Sequence, residues 1–241
     1  MLKRRLFLLL AVLLPLLGFA QAKSVPYFSQ IGGTSKLDAD WTVYNVNGDE
    51  KTWINDASSS SNYSSITAVK VTAGAKYVYN TKADANDWLV SPAIHLEADK
   101  EYKVSFYVKT SGSYKESLRL AVANANSAED MATKSETLLD FPELTEKTFV
   151  KKSVVYVARE SGDYYFGLYE YSKKDLYNVF VTAFSVAENI TTPAPVTGLT
   201  ATEGANEAIT VDLKWTLPTK DEDGNDLTTP LTGAEVYRDG T

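Results

Sequence analysis

The stretch EYKVSFYVK, residues 101–109, sets Tyr102, Val104, Phe106 and Val108 on one side of an extended chain and Lys103, Ser105, Tyr107 and Lys109 on the other. Side chains alternate across a strand with a period of two, so such a segment buries one face and wets the other. The period returns in SLRLAVA, with Leu118, Leu120 and Val122 in phase, and in KKSVVYVARE, where Val155, Val157 and Arg159 oppose Val154, Tyr156 and Ala158. In DYYFGLYEY, Tyr164, Phe166 and Leu168 oppose Tyr165, Gly167 and Tyr169. YNVFVTAFSVAE alternates Phe180, Thr182, Phe184 and Val186 with Val179, Val181 and Ala183. Being apolar on both sides, that last strand is expected at the centre of a sheet covered on both faces. Long helix periodicity is missing, and 15 tyrosines and nine phenylalanines suit pleated, half-buried surfaces.

Gly, Asn, Ser and Asp clusters at 56–65, 110–116 and 160–163 separate these runs and read as loops. Residues 124–137, NANSAEDMATKSET, are expected to cross between strands, as a short helix or a polar excursion. Many short antiparallel strands with turns between them make an all-β sandwich, and the long links favour a two-sheet jelly roll over a meander. A stiff boundary with Pro193 and Pro195 follows near residue 190. Beyond it about three strand-like segments appear, with Val211, Leu213 and Trp215 on one face and Trp215 as the expected core plug.

The chain opens with Lys3, Arg4 and Arg5, an apolar run from Leu6 to Ala20, and the small residues of Ala20-Gln21-Ala22. That is the layout of a secretory signal peptide over 1–22; the run of about 15 residues is short of the roughly 20 needed to cross a bilayer. Removing 22 residues of the 241 leaves 219 and takes away three positive charges, moving the net charge from −7 to −10. So acidic a surface repels phosphate backbones, which argues against nucleic acid as partner. The chain has no cysteine, which excludes disulfides, thiolate zinc and iron–sulfur chemistry.

Candidate chemistry is sparse. His95 is the only imidazole and, between Ile94 and Leu96, points away from a core those two would face. One histidine builds neither a His-based triad nor a multi-histidine metal site. Glycosidase chemistry needs two facing carboxyls; Asp87, Glu97, Glu101, Asp163 and Glu170 are available, but no context sets any of them apart. Residues 37–53 crowd oxygen donors around Gly48, and Asp38, Asp40, Asn45, Asn47 and Asp49 form a candidate structural calcium set. The plain alternative is an Asn/Asp-rich turn bonded to its own backbone. KDEDGND, with Asp221, Asp223 and Asp226 around Gly224, reads as a solvated loop. Trp41, Trp53 and Trp88 are expected to be mainly structural. Rings beside Asn and Asp also suit a sugar face, which makes Trp88, Tyr107, Tyr114, Tyr165 and Tyr169 candidate ligand residues.

DWTVYNVNGDEKTW followed by DWLVSPAIHLEADKEYKVSFYVKTSG resembles the choice-of-anchor J or cleaved adhesin domains, above all in WLVSPAIHL from Trp88 to Leu96. The resemblance covers residues 28–187. It implies a galactose-binding-like jelly roll in proteins exported to the surface of Gram-negative bacteria. It also implies a calcium-holding loop that commonly reads Asp-x-Asp-Gly-Asp; here Asn45 and Asn47 replace the first two acids and Asp49 keeps the third. The tail from Pro195 resembles the opening strands of a fibronectin type III domain through Pro195, Leu199, Trp215 and Tyr237, with Arg238-Asp239-Gly240 after it. The expected organisation is therefore a signal peptide at 1–22, a jelly roll at 23–189, a linker at 190–196 and a partial immunoglobulin-like domain at 197–241, implying a longer gene product. The expected work is non-catalytic binding or adhesion at the cell surface, with a glycan or an extracellular protein as partner. The alternatives are an accessory or spacer domain of a larger secreted protease or glycosidase, and a pure scaffold.

Overall fold

The computed structural model describes residues 21–190, 192–203, 211–222, 224, 226–227, 231–234 and 236. The leader up to residue 20, Asp223 and the 237–240 segment lie outside the described residues. The chain divides into two compact units, Met1–Glu188 and Asn189–Thr241.

In the first unit the strands run β1 Tyr27–Ser29, β2 Thr42–Asn45, β3 Trp53–Asp56, β4 Gly74–Val78, β5 Asp87–Val90 and β6 Ile94–Leu96. They continue as β7 Glu101–Thr110, β8 Glu116–Ala123, β9 Glu136–Leu144, β10 Val150–Val157, β11 Gly162–Glu170 and β12 Asn178–Glu188. A short helix, α1, spans Ala128–Thr133. One sheet has the order β10-β7-β12-β4-β3, with β1 also on β12; the other has β2-β5-β11-β8-β9, with β6 also on β11. All these strand pairs are antiparallel, and neighbours far apart in sequence give a jelly-roll path.

The core lies between the sheets. Val104, Phe106 and Val108 of β7 meet Leu118 and Leu120 of β8 and Phe166 and Leu168 of β11, as their alternation predicts. Trp41 packs edge-on against Phe184 at 5.3 Å, and Trp53 against Tyr77 at 5.8 Å. Each such fully buried side chain contributes on the order of 1.5–3 kcal/mol.

WLVSPAIHL is one strand cut in two. β5 pairs with Gly167–Glu170 and β6 with Gly162–Tyr164 of the same β11. Pro92 has no N–H for the ladder. At the break Ser91 N donates to Phe166 O at 2.9 Å, and Ser91 Oγ accepts from Phe166 N at 3.0 Å.

In β12 the strict alternation fails. Val179 and Val181 face the core, but so do Phe184 and Val186. The register on β7 shifts between Thr182 and Ser185, and Ala183 sits at φ 51°. This is a β-bulge, where an extra residue flips the side-chain phase. Phe180 and Thr182 therefore do not share a face with Phe184.

Residues 124–137 cross between two strands by way of a short helix, as expected. They link β8 to its neighbour β9, and α1 lies over the outer face of their sheet, with Met131 fully buried there. Ser127 caps the helix by accepting from Asp130 N at 3.0 Å.

The second unit contains β13 Thr197–Glu203 paired antiparallel with β14 Val211–Thr216. Leu199 and Val211 are more than 60% exposed and Trp215 is only half-buried, so Trp215 does not plug a closed core among the described residues. Near residue 220, Gly224 N donates to Asp221 O and Lys220 pairs with Asp226 at 3.0 Å.

Candidate functional site

The calcium set does not form one donor shell. Among the described residues no three His, Asp or Glu side chains converge on a point that could hold a metal ion. Asp40 pairs with Lys23 at 2.5 Å, and Asp38 Oδ1 accepts from Asp40 N at 3.2 Å. Asp49 has donors on both oxygens: Lys51 N at 2.6 Å on Oδ1, and the side-chain amides of Asn47 at 3.1 Å and Asn80 at 2.9 Å on Oδ2. Asn45 Nδ2 donates to Asp49 O and Lys51 O, and Gly48 turns the chain at φ 66°. N–H groups thus contact both oxygens of the Asp49 carboxylate in this loop.

The five candidate ligand aromatics fall in three places. Trp88, Tyr165 and Tyr169 share the outer face of the β2-β5-β11-β8-β9 sheet with Tyr44. Trp88 is only 3% exposed, beneath Met131, so its ring supports the face and is closed to a ligand. Ala121, Ala123 and Gly167 form the trough that admits it; a Cβ at Gly167 would lie 2.8 Å from Trp88 Cε3 and 2.4 Å from Met131 Cε. Tyr169 stacks on Trp88 at 4.5 Å and donates to Asn86 Oδ1 at 3.0 Å. Tyr171 continues the stack at 5.5 Å, under the Arg119 guanidinium, with its hydroxyl on Asp140 at 2.6 Å. Tyr107 lies on the outer face of the opposite sheet, half-buried among Tyr63, Ile66, Val71 and Phe149.

Tyr114 belongs to a different arrangement. It sits in the β7–β8 turn and stacks on Tyr177 at 5.9 Å and 20°, and Tyr177 stacks on Tyr79 at 5.5 Å and 22°. Tyr177 and Tyr114 are 41% and 47% exposed, and none of the three hydroxyls has a hydrogen-bond partner among the described residues. Tyr79 continues the core-facing phase of Tyr77 just past the end of β4, and Tyr177 precedes Val179 in the same phase on β12. They are core-side residues that outrun the core. Sequence reading missed both; their one shared mark is a Tyr-Asn pair, Tyr79-Asn80 and Tyr177-Asn178, at the edge of a strand. Tyr79 also lines an open groove of about 570 Å³ with Asp49, Glu50, Lys51, Asn80 and Lys82.

Beneath this end of the sandwich lie three buried carboxyls. Asn45, Asp87 and Glu170 are direct partners across β2, β5 and β11, in phase with the core residues Leu89 and Leu168. Burial pushes Asp87 up to about 6, Glu170 well above the usual carboxylate range, and Glu116 upward. They tie down the loops: Glu116 Oε1 accepts from Tyr177 N at 2.6 Å, Glu170 Oε1 from Ser172 N at 3.3 Å, and Asp87 Oδ2 from Asn86 N at 3.1 Å. Asp87 and Glu170 are thus the one facing pair among the acids singled out in the sequence, and both are completely buried. A glycosidic oxygen has no route to them. Asp163 bonds His95 Nδ1 at 2.9 Å on the exposed face, and Glu97 pairs with Lys100 at 2.8 Å.

A scan against protein-family models finds no match, and a search of curated proteins finds none. Solved structures do match. The K1 cleaved adhesin domain of Lys-gingipain from Porphyromonas gingivalis W83 aligns with a TM-score of 0.51 at 14% identity, over 68% of this chain and 99% of that domain. The K2 cleaved adhesin domain of Lys-gingipain aligns at 0.52 and 13%, over 68% and 99%. Identity this low speaks for the fold alone. The chain has an all-β, antiparallel jelly-roll architecture similar to that of the cleaved adhesin domains.

Proposed function

We propose that the first unit is an exported, non-catalytic binding module that holds a glycan at one end of its sandwich. The observation that carries this reading is the Tyr79–Tyr177–Tyr114 ladder, exposed at Tyr177 and Tyr114 and half-buried at Tyr79, beside a polar groove. Tyrosine offers an apolar face for the C–H side of a sugar and a hydroxyl for its rim. Asn80, Glu50, Lys51 and Lys82 supply hydrogen-bonding groups of both signs. The outer-face aromatics Trp88, Tyr165 and Tyr169, together with Tyr107, serve as framework in this reading.

Residues 1–22 would export the chain to the medium or the cell surface; among the described residues no helix is long and apolar enough to cross a membrane. The β13–β14 pair supports a fibronectin-like spacer for the second unit. Calcium has no part in this reading, because the loop's carboxylate is already saturated by N–H donors.

Glycan-array binding by the whole secreted chain tests the proposal. Wild type binds; Tyr177→Ala loses the signal and Tyr114→Ala weakens it, while Tyr165→Ala keeps it; no bound glycan is cleaved. Equal binding by all variants, or release of reducing ends, overturns the assignment.

A further inference from the structure

The spacing of the rings also says what shape of glycan the site takes. Parallel rings in van der Waals contact lie about 3.5–4 Å apart. Centroids at 5.5 and 5.9 Å therefore mean that each tyrosine is stepped sideways over its neighbour by most of a ring width. The Trp88–Tyr169 pair, at 4.5 Å, overlaps more fully and has Met131 packed on the tryptophan, so it offers no comparable surface.

The stepped ladder leaves part of each ring uncovered, which agrees with the exposure of Tyr177 and Tyr114. The ladder does not end at Tyr79, because that residue is also a wall of the groove lined by Asn80, Thr81, Lys82 and the 49–51 turn. Rings and groove form one track, open at the Tyr114 end and polar at the other. A groove of about 570 Å³ is in the range that holds a small ligand by itself, before the rings add their surface.

Both halves of the track are held from below. Tyr177 N donates to the buried Glu116, the Asn80 side-chain amide donates to Asp49, and the Asn80 backbone carbonyl accepts from Asp175 N. Preorganised rings lose little freedom on binding, so each sugar added along the track gains contact at small entropic cost.

Resting on the glycan reading above, we infer that the ligand is an internal stretch of a linear oligosaccharide, about three or more sugars long, and not a single terminal sugar. The rings take the sugar faces, and the polar groove takes the continuing stretch of the same chain.

Isothermal titration of the whole chain with cello-, xylo-, β-1,4-galacto- and polygalacturonate oligosaccharides of increasing length, from the monosaccharide upward, tests this. For the series that binds, affinity rises about tenfold or more from the monosaccharide to the trisaccharide and then levels off. Tyr114→Ala, a turn substitution with little bearing on folding, removes the gain from the last added sugar only. Tyr79→Ala, at the joint, removes the gain of every sugar beyond the first. A monosaccharide that binds as tightly as its trisaccharide overturns the inference and leaves the glycan reading standing. Failure of every series at every length overturns both.

Discussion

Glu116 offers the sharpest perturbation, because one buried atom joins the core to the ladder. Its side chain is 1% exposed and its Oε1 accepts from Tyr177 N at 2.6 Å. Glu116→Ala leaves that N–H without its acceptor, at about 1–3 kcal/mol. It also removes one buried methylene, worth about 0.8 kcal/mol, together with the carboxyl. Against this, the substitution relieves the cost of burying an acid beside Glu170, whose carboxyl it pushes upward. The net expectation is a loss of about 1–3 kcal/mol in urea unfolding. Glu116→Gln keeps a carbonyl oxygen for Tyr177 N and sheds the like charge, so its stability stays within about 1 kcal/mol of wild type. Glycan affinity separates the two more clearly: alanine frees the middle ring and weakens binding about tenfold, while glutamine stays within about twofold. Equal weakening by both variants would show that the charge, and not the hydrogen bond, matters. Normal binding by the alanine variant would show that Glu116 does not position Tyr177.

Gly167→Ala places a methyl against Trp88 and Met131 and should cost about 1–3 kcal/mol by overpacking; denaturant unfolding checks it, and a change under about 0.5 kcal/mol refutes the tight trough. Asp87, Glu116 and Glu170 have raised values in the folded state, so the native protein binds protons more tightly than the unfolded chain. Their stabilisation is complete below the ordinary carboxylate value of about 4 and is lost as pH climbs through the raised values. Melting temperature should therefore fall by a few degrees from about pH 4 to about pH 6–7, the Asp87 part ending near its value of about 6; a rise over that window contradicts the assignment. Chelator should leave the melting curve unchanged, because Asp49 is satisfied by Lys51, Asn47 and Asn80; a drop of several degrees would restore calcium to the loop.

The sandwich was legible from alternation because the core-phase residues of the central strands are all buried, as in the middle of β7, β8 and β11. β12 misled because the bulge at Ala183 changes phase without any glycine or proline to announce it. The site was less readable for a related reason. Tyr79 and Tyr177 carry the same phase as core residues, and only the place where the sandwich ends leaves Tyr177 exposed and Tyr79 half-buried. Trp88, expected to be mainly structural, lies on the outward phase and is buried there by α1 and Met131. The buried acids were visible as residues, but antiparallel register, which no composition reveals, placed Asp87 opposite Glu170.

The most direct test of the account is an NMR titration of the whole chain with selectively labelled tyrosine rings, using the oligosaccharide series that binds. The account predicts saturable shifts for Tyr79, Tyr177 and Tyr114, with Tyr44, Tyr165 and Tyr169 unmoved. Shifts confined to those outer-face rings would contradict it, as would a titration with no shift at all.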